Sequence, residues 1–174
     1  TDVEPSADNW QDFVTARDAS EVACPDEQAS AAMIERIRQA KEDKDTVGGV
    51  AEVHVFGCPI GLGSFAQWHT RLDARLGAAV LGIQAFKGVE VGLGFGVADR
   101  PGSQVHDPIF PGEKGAYPQR ASNNAGGIEG GMTNGQPVVV RGAMKPISTL
   151  LRGLPSVDLR TGEALSSDYE RSDV

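Results

Sequence analysis

Apolar and polar positions along this chain follow two periods. Met33, Ile37 and Ala40 recur at helical spacing, with Arg36, Lys41 and Glu42 left for solvent. Pro25 suits a first helical position, and Asp26 and Glu27 place negative charge at the positive end of the helix dipole. A helix is therefore predicted from about residue 25, its exposed end marked by the charged run 41–45. Gly48-Gly49 breaks it. Residues 50–56 then alternate, with Ala51, Val53 and Val55 on one side and Glu52 and His54 on the other, which predicts a half-buried strand. After a glycine-rich loop at 57–63, a second helix is predicted near Thr70, with Asp73 in a capping-box arrangement. Leu72, Leu76, Val80 and Ile83 form its apolar stripe, and residues 88–93 read as another strand.

The remaining chain is less regular. Residues 1–24 read as a polar leader segment, part of a longer chain, with a short apolar turn around Trp10, Phe13 and Val14. Residues 25–174 read as one α+β portion. Within it, a long loop near 99–125 carries Pro101, Pro108, Pro111 and Pro118, and loops of that length are commonly functional or mobile. Asn134-Gly135 is a strong hairpin signal, and Val138, Val139 and Val140 are expected to return as its second strand. A short apolar stretch at 157–159 lies in the tail. The order helix, strand, helix, strand, hairpin predicts an α+β sandwich.

Composition narrows the class. A length of 174 residues, 40% hydrophobic and 23% charged, suits one folded domain with a core of its own. A net charge of -8 disfavours nucleic acid as a partner, since phosphate backbones reward clustered cations. An anionic small molecule remains compatible, because a pocket needs only a few local cations. Cys24 and Cys58 are too few for a disulfide framework, so a reducing, cytoplasmic compartment is expected. Neither cysteines nor histidines are spaced as metal ligands, no membrane span is expected, and the absence of an initiator Met suggests an excerpt from a longer protein.

Few motifs announce chemistry by themselves. Gly92-Leu93-Gly94-Phe95-Gly96 lacks the full spacing of a dinucleotide fingerprint and reads as a tight strand exit. His54, His69 and His106 share no ligand or triad spacing. More telling is 124–132, where paired glycines repeat four residues apart. Such backbone either lines a flat ligand or phosphate with N–H donors, or forms a wide turn needing positive φ; composition leaves both open.

The stretch from Asn123 and Asn124 through Gly126-Gly127-Ile128-Glu129-Gly130-Gly131 to Met132-Thr133-Asn134-Gly135-Gln136-Pro137 closely resembles a signature segment of chorismate synthases. Gly48-Gly49-Val50 leading to Pro59-Ile60-Gly61-Leu62-Gly63 does so too, as do Gly82-Ile83-Gln84-Ala85-Phe86-Lys87-Gly88-Val89-Glu90 and Lys145-Pro146-Ile147-Ser148-Thr149. Arg171-Ser172-Asp173 resembles the opening of a carboxy-terminal signature of that family. These matches run in order from about Pro25 to the end. The family's amino-terminal Gly-Glu-Ser-His segment, its second catalytic histidine and an arginine-rich substrate loop have no counterpart here, so no histidine of this chain inherits a catalytic role. The spacing at 116–122 is slightly longer than usual.

The resemblance implies a β-α-β sandwich and a lyase. It would convert 5-enolpyruvylshikimate 3-phosphate to chorismate by 1,4-anti elimination of phosphate, with reduced FMN as cofactor and NADP associated with some members. An anionic small-molecule substrate and a homotetramer are implied as partners, with neither nucleic acid nor membrane. Carried over by position, Gln84, Ala85 and Gly130 are implied flavin contacts, and Lys145, Pro146, Ile147, Ser148 and Thr149 a loop around the flavin phosphate or ribityl chain. Arg171 is implied at the junction of flavin and substrate, holding an anion in its planar fork. Asp173 is implied as a catalytic residue assisting proton transfer. The excerpt is expected to be inactive alone. The alternative from a different class is a non-catalytic, glycine-rich oligomerisation module.

Overall fold

A computed structural model describes residues 4–112 and 117–167. The chain forms two compact units, Val50–Met144 as one and Thr1–Gly49 with Lys145–Val174 as the other.

In the second of these, helix α1 spans Trp10–Ala19, where the sequence suggested only a short turn, and it buries no residue. Helix α2 spans Glu27–Glu42. Its N-cap is Asp26, whose carboxylate accepts from the Ala29 amide at 2.7 Å, so Pro25 stands before the cap rather than at the first helical position. A carboxylate satisfies an orphan amide there and favours the dipole as well. The Ser20 and Ser30 hydroxyls meet at 2.9 Å and join the two helices. Beyond α2, the Thr46 hydroxyl donates to the Ile147 carbonyl at 2.8 Å and the Arg152 amide to the Lys44 carbonyl at 3.3 Å. A short ribbon pairs β8 (Pro155–Val157) with β9 (Ala164–Ser166); of the apolar stretch at 157–159 only Val157 lies in it, and Leu159 stands exposed beyond it.

The Val50–Met144 unit is built on a three-stranded sheet. Strand β1 (Gly49–Val55) and β2 (Phe86–Val91) flank the later strand β7 (Val138–Met144), in the order β1-β7-β2. Strands β2 and β7 are antiparallel, pairing Val89 with Gly142 and Val91 with Val140. Helix α3 (Leu72–Gly82) lies on one face. Its Leu72, Leu76 and Val80 pack with Val89, Val91 and Cys58 against buried Val138, Val140 and Ile128, which is the core. The expected apolar stripe on this helix is thus the packing face, although Ile83 stands exposed at 52%.

Three expectations about this unit are corrected. The helix begins at Leu72, behind a 3-10 turn at Trp68–Thr70, and has no side-chain cap. The Thr70 hydroxyl turns back to the Gln67 carbonyl at 2.8 Å, and Asp73 is held by Arg71 at 2.5 Å, so the capping box does not form. Strand β1 also departs from the expected half-burial: Val53 is 57% exposed and Val55 43%. The alternation does place these residues on the face away from Glu52, as read from sequence. A helix about 10 Å across covers roughly two strands spaced near 4.8 Å, and α3 packs over β2 and β7. The β1 row is left uncovered.

On the opposite face, Arg141 of β7 lies between Glu90 of β2 at 3.4 Å and Glu52 of β1 at 3.7 Å, and His54 pairs with Glu52 at 2.7 Å. The region read as a long loop holds a single-turn helix α4 (Gly102–Val105) and a minimal ribbon of β3 (Ile109–Phe110) with β4 (Gln119–Arg120).

The hairpin is the largest correction. Asn134-Gly135 does not turn one strand into the next. Strand β5 (Ile128–Glu129) pairs with β6 (Met132–Thr133), and Glu129 faces Met132, so Gly130-Gly131 is the two-residue turn. Both glycines have positive φ, +59° and +85°, the combination a primed turn demands. Asn134 serves the turn differently, its side-chain oxygen accepting from the Gln136 amide at 3.0 Å. Strand β7 pairs with β1 and β2 instead.

Candidate functional site

The two glycine-rich stretches singled out in the sequence come together. Gly61 donates from its amide to the Thr133 carbonyl at 2.9 Å, and the Thr133 amide donates to the Leu62 carbonyl at 2.9 Å. Gly63 bridges to Met132. Thr133 is only 2% exposed, and its hydroxyl donates to the Pro59 carbonyl at 2.5 Å while accepting from the Leu62 amide at 2.9 Å. One buried hydroxyl therefore satisfies two backbone groups of the 57–63 loop. Gly131 finishes the join: its carbonyl accepts from the Leu72 amide at 2.8 Å, supplying the cap that α3 lacks from its own side chains.

A carboxylate that the sequence reading passed over anchors the other end of this segment. Asp107 accepts from the Ser122 hydroxyl at 2.6 Å and the Asn124 amide at 2.7 Å on one oxygen, and from the Ala125 amide at 2.9 Å on the other. Burial pushes its pKa upward. The Ser122, Ala125 and Asn124 donors and the charge of Arg120 outweigh that effect, and the net value lies below the ordinary 3.8. The signal in the sequence was slight, an Asp between a His and a Pro in a polar stretch.

This shift has a testable sign. Because the folded carboxyl binds its proton more weakly than the unfolded one, the unfolded state holds more protons between the two values, and stability rises with pH there. The contribution is complete above about pH 5 and is lost as pH falls through 3.8 toward the lowered folded value. Unfolding midpoints measured against pH should show this acid limb in the native sequence, and Asp107→Asn should flatten it. An unchanged acid limb in the variant contradicts the assignment.

Arg120 joins the same neighbourhood. Its guanidinium donates to Glu129 at 2.5 Å and reaches the Asn134 carbonyl at 3.5 Å, and its Nε is buried without a partner among the described residues.

The residues carried over by resemblance fall as follows. Gly130 is exposed at the tip of the turn, and a side chain placed there would meet nothing within 4 Å. Gln84 is exposed between α3 and β2. Ala85 beside it has φ +71°, a left-handed conformation that costs an alanine about 1–2 kcal/mol and is typical of positions under functional constraint. Lys145, Pro146, Ile147 and Ser148 are exposed, and Thr149 half-buried, all in the unit that contains α1 and α2. Arg171 and Asp173 lie outside the described residues. No cluster of three or more His, Cys, Asp or Glu suited to a metal occurs among the described residues, and no helix there is long and apolar enough to cross a membrane.

Known proteins resemble this chain in sequence and fold. The profile of the chorismate synthase family matches residues 4–174. The chorismate synthase of Desulforamulus reducens is 56% identical over 165 residues, covering 94% of this chain and 42% of that protein. The chorismate synthase of Mycobacterium avium is 57% identical over 159 residues, covering 91% of this chain and 39% of that protein. A crystal structure of chorismate synthase superposes with a TM-score of 0.75 at 45% identity, over 81% of this chain and 42% of that one. The chain thus spans about two fifths of the length of the relatives it matches.

Proposed function

The chain belongs to the chorismate synthase family, and from that membership we propose that the protein carries out the elimination of phosphate from 5-enolpyruvylshikimate 3-phosphate to give chorismate. The observation that carries the site assignment is the Gly130 turn: its backbone is exposed, and the space a side chain would fill is open, so a planar ring can approach closely. The residues carried over by family resemblance are of types that suit reduced FMN. Lys145 offers an exposed ammonium and Ser148 an exposed hydroxyl for a phosphate or ribityl chain, and Gln84 an amide free to reach a ring edge. Ala85, Pro146, Ile147 and Thr149 complete the residues proposed to contact the flavin. When bound, reduced FMN would lend the elimination transient electron density, with no net redox change. Arg171 holds the anionic substrate through its planar fork, and the Asp173 carboxylate serves in proton transfer. The protein acts as a homotetramer in the cytoplasm, on a small anionic substrate.

One observation favours a second reading. The uncovered row of Val53 and Val55 on β1 is the kind of surface that contacts between copies bury, which suits a glycine-rich module devoted to assembly.

Titration with reduced FMN under anaerobic conditions separates the two. The full-length protein should bind, and Lys145→Ala and Gly130→Val should each weaken binding by about tenfold, the equivalent of 1.4 kcal/mol. Affinity that survives both changes and Arg171→Ala intact removes the site and leaves the assembly reading.

A further inference from the structure

The turn that presents Gly130 is weakly built by its own ladder. It has two residue pairs, Ile128 with Thr133 and Glu129 with Met132. Two-stranded hairpins of this size are marginal in water, and two successive glycines have the greatest backbone freedom of any pair. The exit side is held by the Thr133 hydroxyl and by the Gly131 carbonyl, which accepts from the Leu72 and Ser64 amides. The entry side, at Glu129, is held through its side chain.

We propose that Arg120 is the positioning residue that fixes the shape of the Gly130–Gly131 turn, acting through Glu129 and Asn134; the inference rests on the reading of Gly130 as a flavin contact. Glu129 immediately precedes the two glycines, and Asn134 follows β6. The Arg120 guanidinium at 2.5 Å and the Asn134 side-chain amide at 2.8 Å both donate to the same Glu129 oxygen, Oε2. A second guanidinium nitrogen points to the Asn134 carbonyl at 3.5 Å. A single cation thus ties the strand entering the turn to the chain leaving it.

Three features distinguish this from an ordinary surface pair. The Arg120 side chain is only 16% exposed, so its charge is largely withdrawn from water and depends on Glu129, with the Asp107 carboxylate near enough to contribute. The planar fork can address both acceptors at once, which a lysine ammonium on a flexible stem does less well. The turn that is held has open space on its outer side at Gly130, so the clamp orders a backbone whose exposed side packs against no described residue. The sequence region 99–125 then has a purpose: Asp107 pins its end to 122–125, and β4 delivers Arg120 to the turn.

The test uses the full-length protein and two independent readouts, FMN affinity and amide hydrogen exchange of residues 129–134 in flavin-free protein. Arg120→Ala should weaken FMN binding by about tenfold and speed exchange at Gly130 and Gly131 by at least as much. Arg120→Lys should recover only part of both. Glu129→Gln, which keeps size and removes the charge, should reproduce the Ala effect if Arg120→Ala fails to fold. FMN affinity within about twofold of the native protein in both Arg120→Ala and Glu129→Gln, with unaltered exchange at the turn, overturns the proposal. Gly130→Val separates the layers. If that change weakens binding while the Arg120 and Glu129 variants do not, the positioning role alone falls. If Gly130→Val leaves binding intact, the reading beneath it falls too.

Discussion

Gly126→Ala is expected to cost about 3 kcal/mol or more, enough to leave little folded protein if native stability is near the lower end of the usual ~5–15 kcal/mol. Gly126 and Gly92 press their backbones together where β2 ends and the glycine segment crosses the sheet. A Cβ on Gly126 would run into the Gly92 amide and Cα, and would lie 3.1 Å from the Val139 carbonyl. Those atoms are already committed. The Gly92 amide donates to the Val139 carbonyl at 3.0 Å, and the Val139 amide to the Gly126 carbonyl at 3.2 Å. Neither backbone can yield without breaking a ladder that also carries the core valines Val138 and Val140. Gly126 also has φ +61°, which adds about 1–2 kcal/mol for any residue with a Cβ. Overpacking adds about 1–3 kcal/mol. Gly82→Ala is the control: it stands at the end of α3 with nothing within 4 Å and should be near neutral. Denaturant midpoints of the two variants should differ widely. Equal midpoints would show that the close approach is not what stabilises this crossing.

The turn glycines make the second large contrast. Gly131→Ala should destabilise by about 3 kcal/mol, whereas Gly130→Ala should cost about 1–2 kcal/mol, although both have positive φ and stand side by side. The difference is what surrounds them. A Cβ at Gly131 meets the Ser64 carbonyl at 2.7 Å and the Arg71 stem at 2.7 Å, and moving it away drags the carbonyl that caps Leu72. A Cβ at Gly130 meets nothing within 4 Å. Thermal or denaturant unfolding of both variants checks the ranking. A Gly130 change as costly as the Gly131 change, or costlier, would show that the close packing at Gly131 does not set the cost. Of the two, Gly130 is the one whose outward side is open, which is what the proposed flavin contact requires.

Much of the fold was legible along the chain. Helix α2 and the stripe on α3 announced themselves because a 3.6-residue period needs no partner to be visible. Alternation in β1 correctly separated Glu52 and His54 from Ala51, Val53 and Val55. It could not say whether anything lay over the apolar row, because coverage depends on where α3 settles. Asn134-Gly135 misled for a related reason. It has the chemistry of a hairpin turn, but a turn becomes a hairpin only if the flanking strands pair, and β7 found β1 and β2 instead. Thr70 and Asp73 failed as a cap because Arg71 and Gln67 offered closer partners.

The family resemblance was carried by ordered motifs, and a family profile and relatives above 50% identity agree with it. Asp107 and Arg120 were not legible at all. Each acts on backbone some ten or more residues away, and no local period records such a pairing.

By itself the sequence determined the helix and strand periods, the α+β class and the glycine signature of the family, since these reside in local chemistry and order. Only the tertiary structure decided which glycine pair turns the chain, which apolar row is covered, and which charges hold the turn. Those outcomes depend on contacts between distant segments, where close backbone approach and shared hydrogen-bond acceptors select one arrangement among several that the local pattern allows.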